Sequence, residues 1–200
     1  MSRIDDLIAE HCPNGVRYMP LGEAADIFSG ATPSRTVPEY WENGTIPWLT
    51  SGEVNKGTIH KAENFITQSG YDSCSTKLAP ERSVVVALAG QGKTRGMVAR
   101  TRLRCCTNQS LATVVTSFGI DSDFLFYFLK TQYTRLREIS SGDGTRGGLN
   151  LAMLRAYRVP VPPLEVQREI VRILDAFTEL EAELEAELEA RRQQYEYYRD

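Results

Sequence analysis

The chain has 200 residues, 42% apolar and 24% charged, with 23 Lys and Arg against 26 Asp and Glu for a net charge of −3. This is a globular composition, enough for one ordinary domain and an appendage or for two small domains. It excludes a membrane-spanning helix, since the longest apolar runs, VVVALA (residues 84–89) and FLFYFL (124–129), are far too short, and the N-terminus MSRIDDLIAEHCPNG lacks the apolar stretch of a signal peptide.

In chain order, Ser2 with Asp5 forms a capping pair for a short helix carrying Ile4, Leu7 and Ile8, ended near Pro13-Asn14-Gly15. Residues 16–60, rich in Gly, Pro, Thr and Ser, are expected as short strands and loops. The β-branched run 83–89 predicts a buried strand, and 97–104 alternates enough to return beside it. Residues 111–116 form another strand. Asp121-Ser122 then caps a helix with Phe124, Leu125, Phe128, Leu129 and Leu136 on its buried side. A glycine-rich loop (140–150, SSGDGTRGGLN), a short helix and the strand-like YRVPVPP complete a mixed α+β globular part.

No Gly or Pro interrupts the chain from Leu164 to Asp200, and Pro162-Pro163 suits a helix start. At ~1.5 Å per residue this is a rod of roughly 54 Å. Within it Glu-Leu-Glu-Ala is written three times over residues 179–190. Ile170, Ile173, Leu174, Phe177, Leu180, Leu184 and Leu188 form an apolar stripe that Tyr195 and Tyr198 continue. The Leu spacing is four rather than a heptad's three-four alternation, so the stripe drifts around the helix. Such a stripe needs a second helix to cover it. Charge divides at the same boundary: residues 164–200 carry 5 basic and 11 acidic groups, leaving a net +3 on residues 1–163. Any nucleic acid is therefore expected on the globular part.

The four cysteines form no CxxC pair, and with two histidines a zinc site is not expected; a reducing cytoplasm fits. The stretch ALAGQGKT (87–94) satisfies a permissive phosphate-binding loop, but RGMV is a poor helix opening after it. The other reading is a glycine-rich turn presenting Lys93, Thr94 and Arg95 to something anionic. Arg100, Arg102 and Arg104 would share one face of a strand, either as a phosphate-binding row or as a solvated face. Arg35, Lys56, Lys61 and Arg146 add cations in loops near Tyr40, Trp41 and Trp48. Asp/Glu-x-Lys, Asn/Asp-Pro-Pro-aromatic and G-x-S-x-G signatures are missing, and His11 and His60 lack catalytic company. The sequence reads as a binder.

Several segments occur together in order: GATP (30–33), IPWLT (46–50), GQGKTRG (90–96) with TNQS (107–110), GTRGGLN (144–150) and VPPLEVQREIVRILD (161–175). With these the chain resembles the specificity subunit of type I restriction–modification systems over nearly its whole length. The resemblance implies a target-recognition domain over 1–160 and a helical spacer and dimerisation region over 161–200. It implies a non-catalytic chain reading one half of a split double-stranded DNA target. Methyltransferase and restriction subunits would supply adenine methylation and cleavage, and S-adenosylmethionine, ATP and Mg would sit on them, with no cofactor or metal on this chain. The family pattern has two recognition domains and two helical regions; this chain has one of each. It resembles half a subunit, natural or excised, and two copies paired antiparallel through the helix would rebuild the whole. The family-like segments then fix geometry or phosphate contacts, and residues 34–43, 57–77 and 98–104 are the places to seek sequence choice. Two other readings stand beside this one: a P-loop nucleotide hydrolase, and a coiled-coil adaptor that binds protein.

Overall fold

The computed structural model describes residues 3–90, 94–117, 119–140 and 148–199. Helix α1 (Arg3–His11) leads into β1 (Tyr18–Pro20), the short α2 (Leu21–Ala24) and β2 (Ala25–Ser29). Then come β3 (Ile46–Leu49), a 3-10 turn over Ser51–Lys56, β4 (Thr58–Ile59), β5 (Asn64–Ile66) and α3 (Gln68–Asp72). The central strands are β6 (Val84–Ala87), β7 (Val98–Thr101), β8 (Cys106–Thr107) and β9 (Leu111–Thr116). Helices α4 (Ser122–Thr131), α5 (Tyr133–Ile139) and α6 (Leu151–Ala156), strand β10 (Arg158–Pro160) and the long α7 (Leu164–Arg199) complete the chain. The mixed α+β domain with a long C-terminal helix is the expected fold class.

The core is a five-stranded sheet in the order β2-β9-β6-β7-β4, antiparallel except for the β4–β7 pair. Strand β6 lies at its centre, and all four of its residues are buried. Successive side chains of a strand point to opposite faces. Val84 and Val86 accordingly enter one apolar cluster with Ile27, Val114, Leu125, Leu129 and Leu154, while Val85 and Ala87 enter another with Leu49, Val54 and Ile59. Both faces are covered, which is why β6 is a continuous apolar run rather than an alternating one. A smaller sheet, β5-β3-β8, packs around Trp48, Ile66 and Cys106.

Three expectations shift in detail. The returning strand stops at Thr101 instead of Arg104, because the chain turns away at Arg102 to reach β8. The helix after Asp121 is two helices meeting at Gln132, whose backbone (φ −91, ψ 8) leaves the helical well. The N-terminal helix is present, but Ser2 lies outside the described residues. Asp121 caps α4 as expected, accepting from the Asp123 and Phe124 amides at 2.8 and 3.1 Å.

The base of α7 is built into the domain. Val166, Gln167 and Glu169 are buried. The Gln167 amide is fully satisfied: its oxygen accepts from the Asp121 amide at 2.8 Å, and its nitrogen donates to the carbonyls of Gly119 and Pro162 at 3.0 and 2.7 Å. A buried side chain bonded on every side fixes orientation as well as position. Beyond Asp175 every described residue of the helix is exposed.

Candidate nucleic-acid interface

Antiparallel pairing collects loops from distant sequence at one end of the large sheet. Strands β2 and β6 end there, and β7 and β9 begin there. At Gly30, just after β2, an added Cβ would overlap the carbonyl of Thr107, so only glycine lets the two loops touch. Thr32 donates to the Gln109 side chain at 2.6 Å, and the Asn108 amide donates to Leu49 O at 3.0 Å. Leu88 then joins two more segments: its amide donates to Ser110 O at 2.8 Å, and its carbonyl accepts from the Leu149 amide at 3.2 Å. GATP, the end of IPWLT, TNQS and the described end of GTRGGLN thus meet beside the β6–β7 turn.

Aromatic rings and cations flank this end. Trp48 is buried, and its indole N–H donates to Ala31 O at 3.0 Å. Trp41 packs edge-on against it at 5.1 Å, and the exposed Arg35 guanidinium lies 4.0 Å above the Trp41 ring. Lys77 sits 5.1 Å over Phe28. Neither cation makes an ion pair among the described residues, so both charges remain available to an anion. The sequence pattern points to Arg35 but not to Lys77, whose place beside Phe28 depends on pairing distant in sequence.

Thr94 and Arg95 lie in the β6–β7 turn, half-buried, with the Arg95 carbonyl accepting from Arg137 at 3.3 Å. The turn runs into β7, a strand, so the helix that a phosphate-binding loop requires is not there. Lys93 and Arg146 lie outside the described residues. Lys56 is engaged, 2.8 Å from Glu63 and 3.4 Å from the buried Glu53; the Glu63 bond leads in raising its pKa above the usual lysine value. Lys61 and Arg104 are exposed, just past β4 and β7 at the opposite end of the sheet.

The arginine row requires a correction. Arg100 and Arg102 do share a face, but that face is taken up by the chain's own carboxylates on α4 and α7. Arg100 is buried, its guanidinium 3.1 Å from Asp123 and 2.8 Å from Asp175, with Nε donating to Thr58 at 3.0 Å. Its charge also lies 5.1 and 5.2 Å from the Phe126 and Tyr127 rings. Burial opposes the charge, but the bond and charge of Asp175, with Tyr127 and Asp123 adding, raise its pKa above the ordinary arginine value. Arg102 pairs with Asp123 at 2.8 Å, and Arg82 with Asp121 and Asp123 at 3.1 and 3.0 Å. Tyr127 donates to Asp175 at 2.6 Å. Burial would raise the Asp175 pKa, yet the bonds from Tyr127 and Arg100 prevail and hold it below the usual carboxylate value. Arg100 thus ties the sheet to the rod through Asp175, while Arg82 and Arg102 tie it to the start of α4.

Along the rod, Ile170, Ile173 and Leu174 are half-buried at the base, while Phe177, Leu180, Leu184, Leu188, Tyr195 and Tyr198 are 50% to 75% exposed. Among the described residues no helix is long and apolar enough to cross a membrane, and no group of three or more His, Cys, Asp or Glu could hold a metal ion. The vicinal thiols Cys105 and Cys106 are buried, and that burial is the main reason their pKa values are pushed up to about 12 and about 11, away from reactivity.

The type I restriction modification DNA specificity domain matches residues 13–190. The chain belongs to this family. It is 29% identical to the EcoR124I/EcoR124II specificity subunit of Escherichia coli over 92% of this chain and 47% of that protein. It is 31% identical to the EcoprrI specificity subunit of Escherichia coli, over 92% of this chain and 49% of the relative. The fold matches the crystal structure of the HsdS subunit from Thermoanaerobacter tengcongensis with a TM-score of 0.66 and 24% identity, covering 91% of this chain and 44% of that one. The chain spans about half the length of these specificity subunits, and its segments that meet at the end of the sheet are those that marked the family in the sequence.

Proposed function

We propose that this chain recognises one half of a bipartite double-stranded DNA target for a type I restriction–modification complex. The observation that carries the proposal is the meeting of four family segments at one end of the sheet, flanked by the ring-stacked Arg35 and Lys77, which make no ion pair among the described residues. Guanidinium and ammonium groups held over aromatic rings suit phosphate contact beside a groove. The acidic rod keeps its distance from DNA. It pairs antiparallel with a second copy, giving two recognition domains related by two-fold symmetry. Methylation and cleavage belong to methyltransferase and restriction subunits, which carry S-adenosylmethionine, ATP and Mg. The chain itself holds none of them and performs no catalysis, and the complex works in the cytoplasm.

Titrating the chain with DNA at increasing salt tests the reading. Log K should fall linearly with log[salt], each phosphate contact contributing roughly −0.9 to the slope. Arg35→Ala or Lys77→Ala should each flatten the slope by about one contact. Affinity independent of salt would point instead to a protein-binding adaptor.

A further inference from the structure

The stripe of the rod is nearly self-complementary about Leu184, with Leu174 opposite Gln194 as its one apolar-to-amide pair. Counted outward from Leu184 in an antiparallel pair, Leu180 faces Leu188, Ile173 faces Tyr195 and Ile170 faces Tyr198. Phe177 faces Arg191, a cation placed on an aromatic ring. The flanks agree in charge: Arg172 faces Glu196, and Glu169 faces Arg199. Moving the centre to Ala182 sets Phe177 against Glu187, and moving it to Ala186 sets Leu180 against Arg192. Both shifts place a charge in the apolar ladder without a ring to meet it, or against one of the wrong sign.

The base of the rod offers something for the far end to enter. An apolar groove of about 330 Å³ runs between α4 and α7, lined by Phe124, Tyr127, Phe128, Val166, Ile170 and Leu174. Ile170 and Leu174 belong to both the groove and the stripe, so the groove opens where the stripe begins. Asp175, the anchor to the recognition sheet, lies nine residues from Leu184, roughly half a turn around the helix. The domain covers the stripe only at its base, at Val166, Ile170 and Leu174, and leaves it free from Phe177 onward. Tyr195 and Tyr198, 67% and 75% exposed, have no cover in a single chain.

We infer that two copies dock in one register, Leu184 on its own symmetry mate, with the Tyr195–Tyr198 end of each rod seated in the groove at the base of the other. This rests on the pairing proposed above and specifies its geometry. An isologous contact requires such a self-complementary pattern.

Oxidative cross-linking of the full chain tests it, in a background where the half-buried Cys12 and Cys74 are serine. Leu184→Cys alone should form a covalent dimer. Leu180→Cys alone should not, since it lies eight residues, ~12 Å, from its mate; adding Leu188→Cys should restore the cross-link. By sedimentation, Tyr198→Ala should weaken the dimer at least tenfold. Gln193→Ala, exposed and nine residues or about half a turn from Leu184, should leave it unchanged. A chain that stays monomeric overturns the pairing and this register together. A dimer that forms but is not trapped by Leu184→Cys, or is indifferent to Tyr198→Ala, overturns the register alone.

Discussion

The Arg100 guanidinium is held by Asp123, Asp175 and Thr58 and lies against two aromatic rings; its loss would leave Asp175 without its arginine and open a gap beside Asp123, which keeps Arg82 and Arg102. Breaking a buried pair of this kind costs about 3 kcal/mol or more. Arg100→Ala is expected to destabilise the chain by that amount in urea unfolding, whereas Arg35→Ala, at the surface, should stay within about 0.5 kcal/mol. The same cluster gives acid sensitivity. Because the folded Asp175 pKa is depressed, its contribution is full above the unfolded aspartate value of about 3.9 and is lost as pH falls through the folded value. Wild-type stability should drop below pH ~4 by more than that of Asp175→Asn, measured by urea midpoints between pH 6 and 3; parallel curves would remove Asp175 from the cluster. The alternation of Arg100 and Arg102 was legible in the sequence. Their acidic partners were not, because Asp123 and Asp175 arrive from elements 23 and 75 residues away.

At the scale of elements, α7 and the central strands β6 and β9 could be read directly, since each carries a long or continuous apolar pattern of its own. Strands β3, β4, β5 and β8 could not. They are two to four residues long, and it is their partners, such as Cys106 beside Trp48, that make them strands. The convergence of GATP, TNQS and the glycine loop was equally hidden, because it is a product of sheet order. The repeated Glu-Leu-Glu-Ala cassette has its consequence at this scale. Deleting residues 183–186 preserves the Leu-every-four spacing, shortens the rod by ~6 Å and rotates the distal part of the helix by ~40°. At ~3.4 Å per base pair, the gap between half-sites should change by about one or two base pairs, with the half-site sequences unchanged. Methylation mapping of parent and deletion assemblies checks this. An unchanged gap in a folded, active variant would mean that the rod does not set the spacing.

For the whole molecule, charge and shape divide the work. The globular part carries the net positive charge and the loops gathered at one end of the sheet, and the acidic rod carries the apolar stripe. In the register centred on Leu184, Val171 at the base of one rod lies opposite Tyr197 of the other. The two bases are then about 26 residues, or ~39 Å, apart. That is close to one turn of B-DNA, ~34–36 Å, so both recognition domains can approach the same side of a duplex. If two copies pair as proposed, two-fold symmetry of identical domains requires a target that is read identically from both ends. The most direct measurement is to supply this chain as the sole specificity component to its methyltransferase subunits and map adenine methylation across a genome. Methylation is expected at a single bipartite motif whose two half-sites are inverted repeats separated by a fixed gap. Methylation without a fixed motif, or at a motif with two unrelated half-sites, would contradict this expectation.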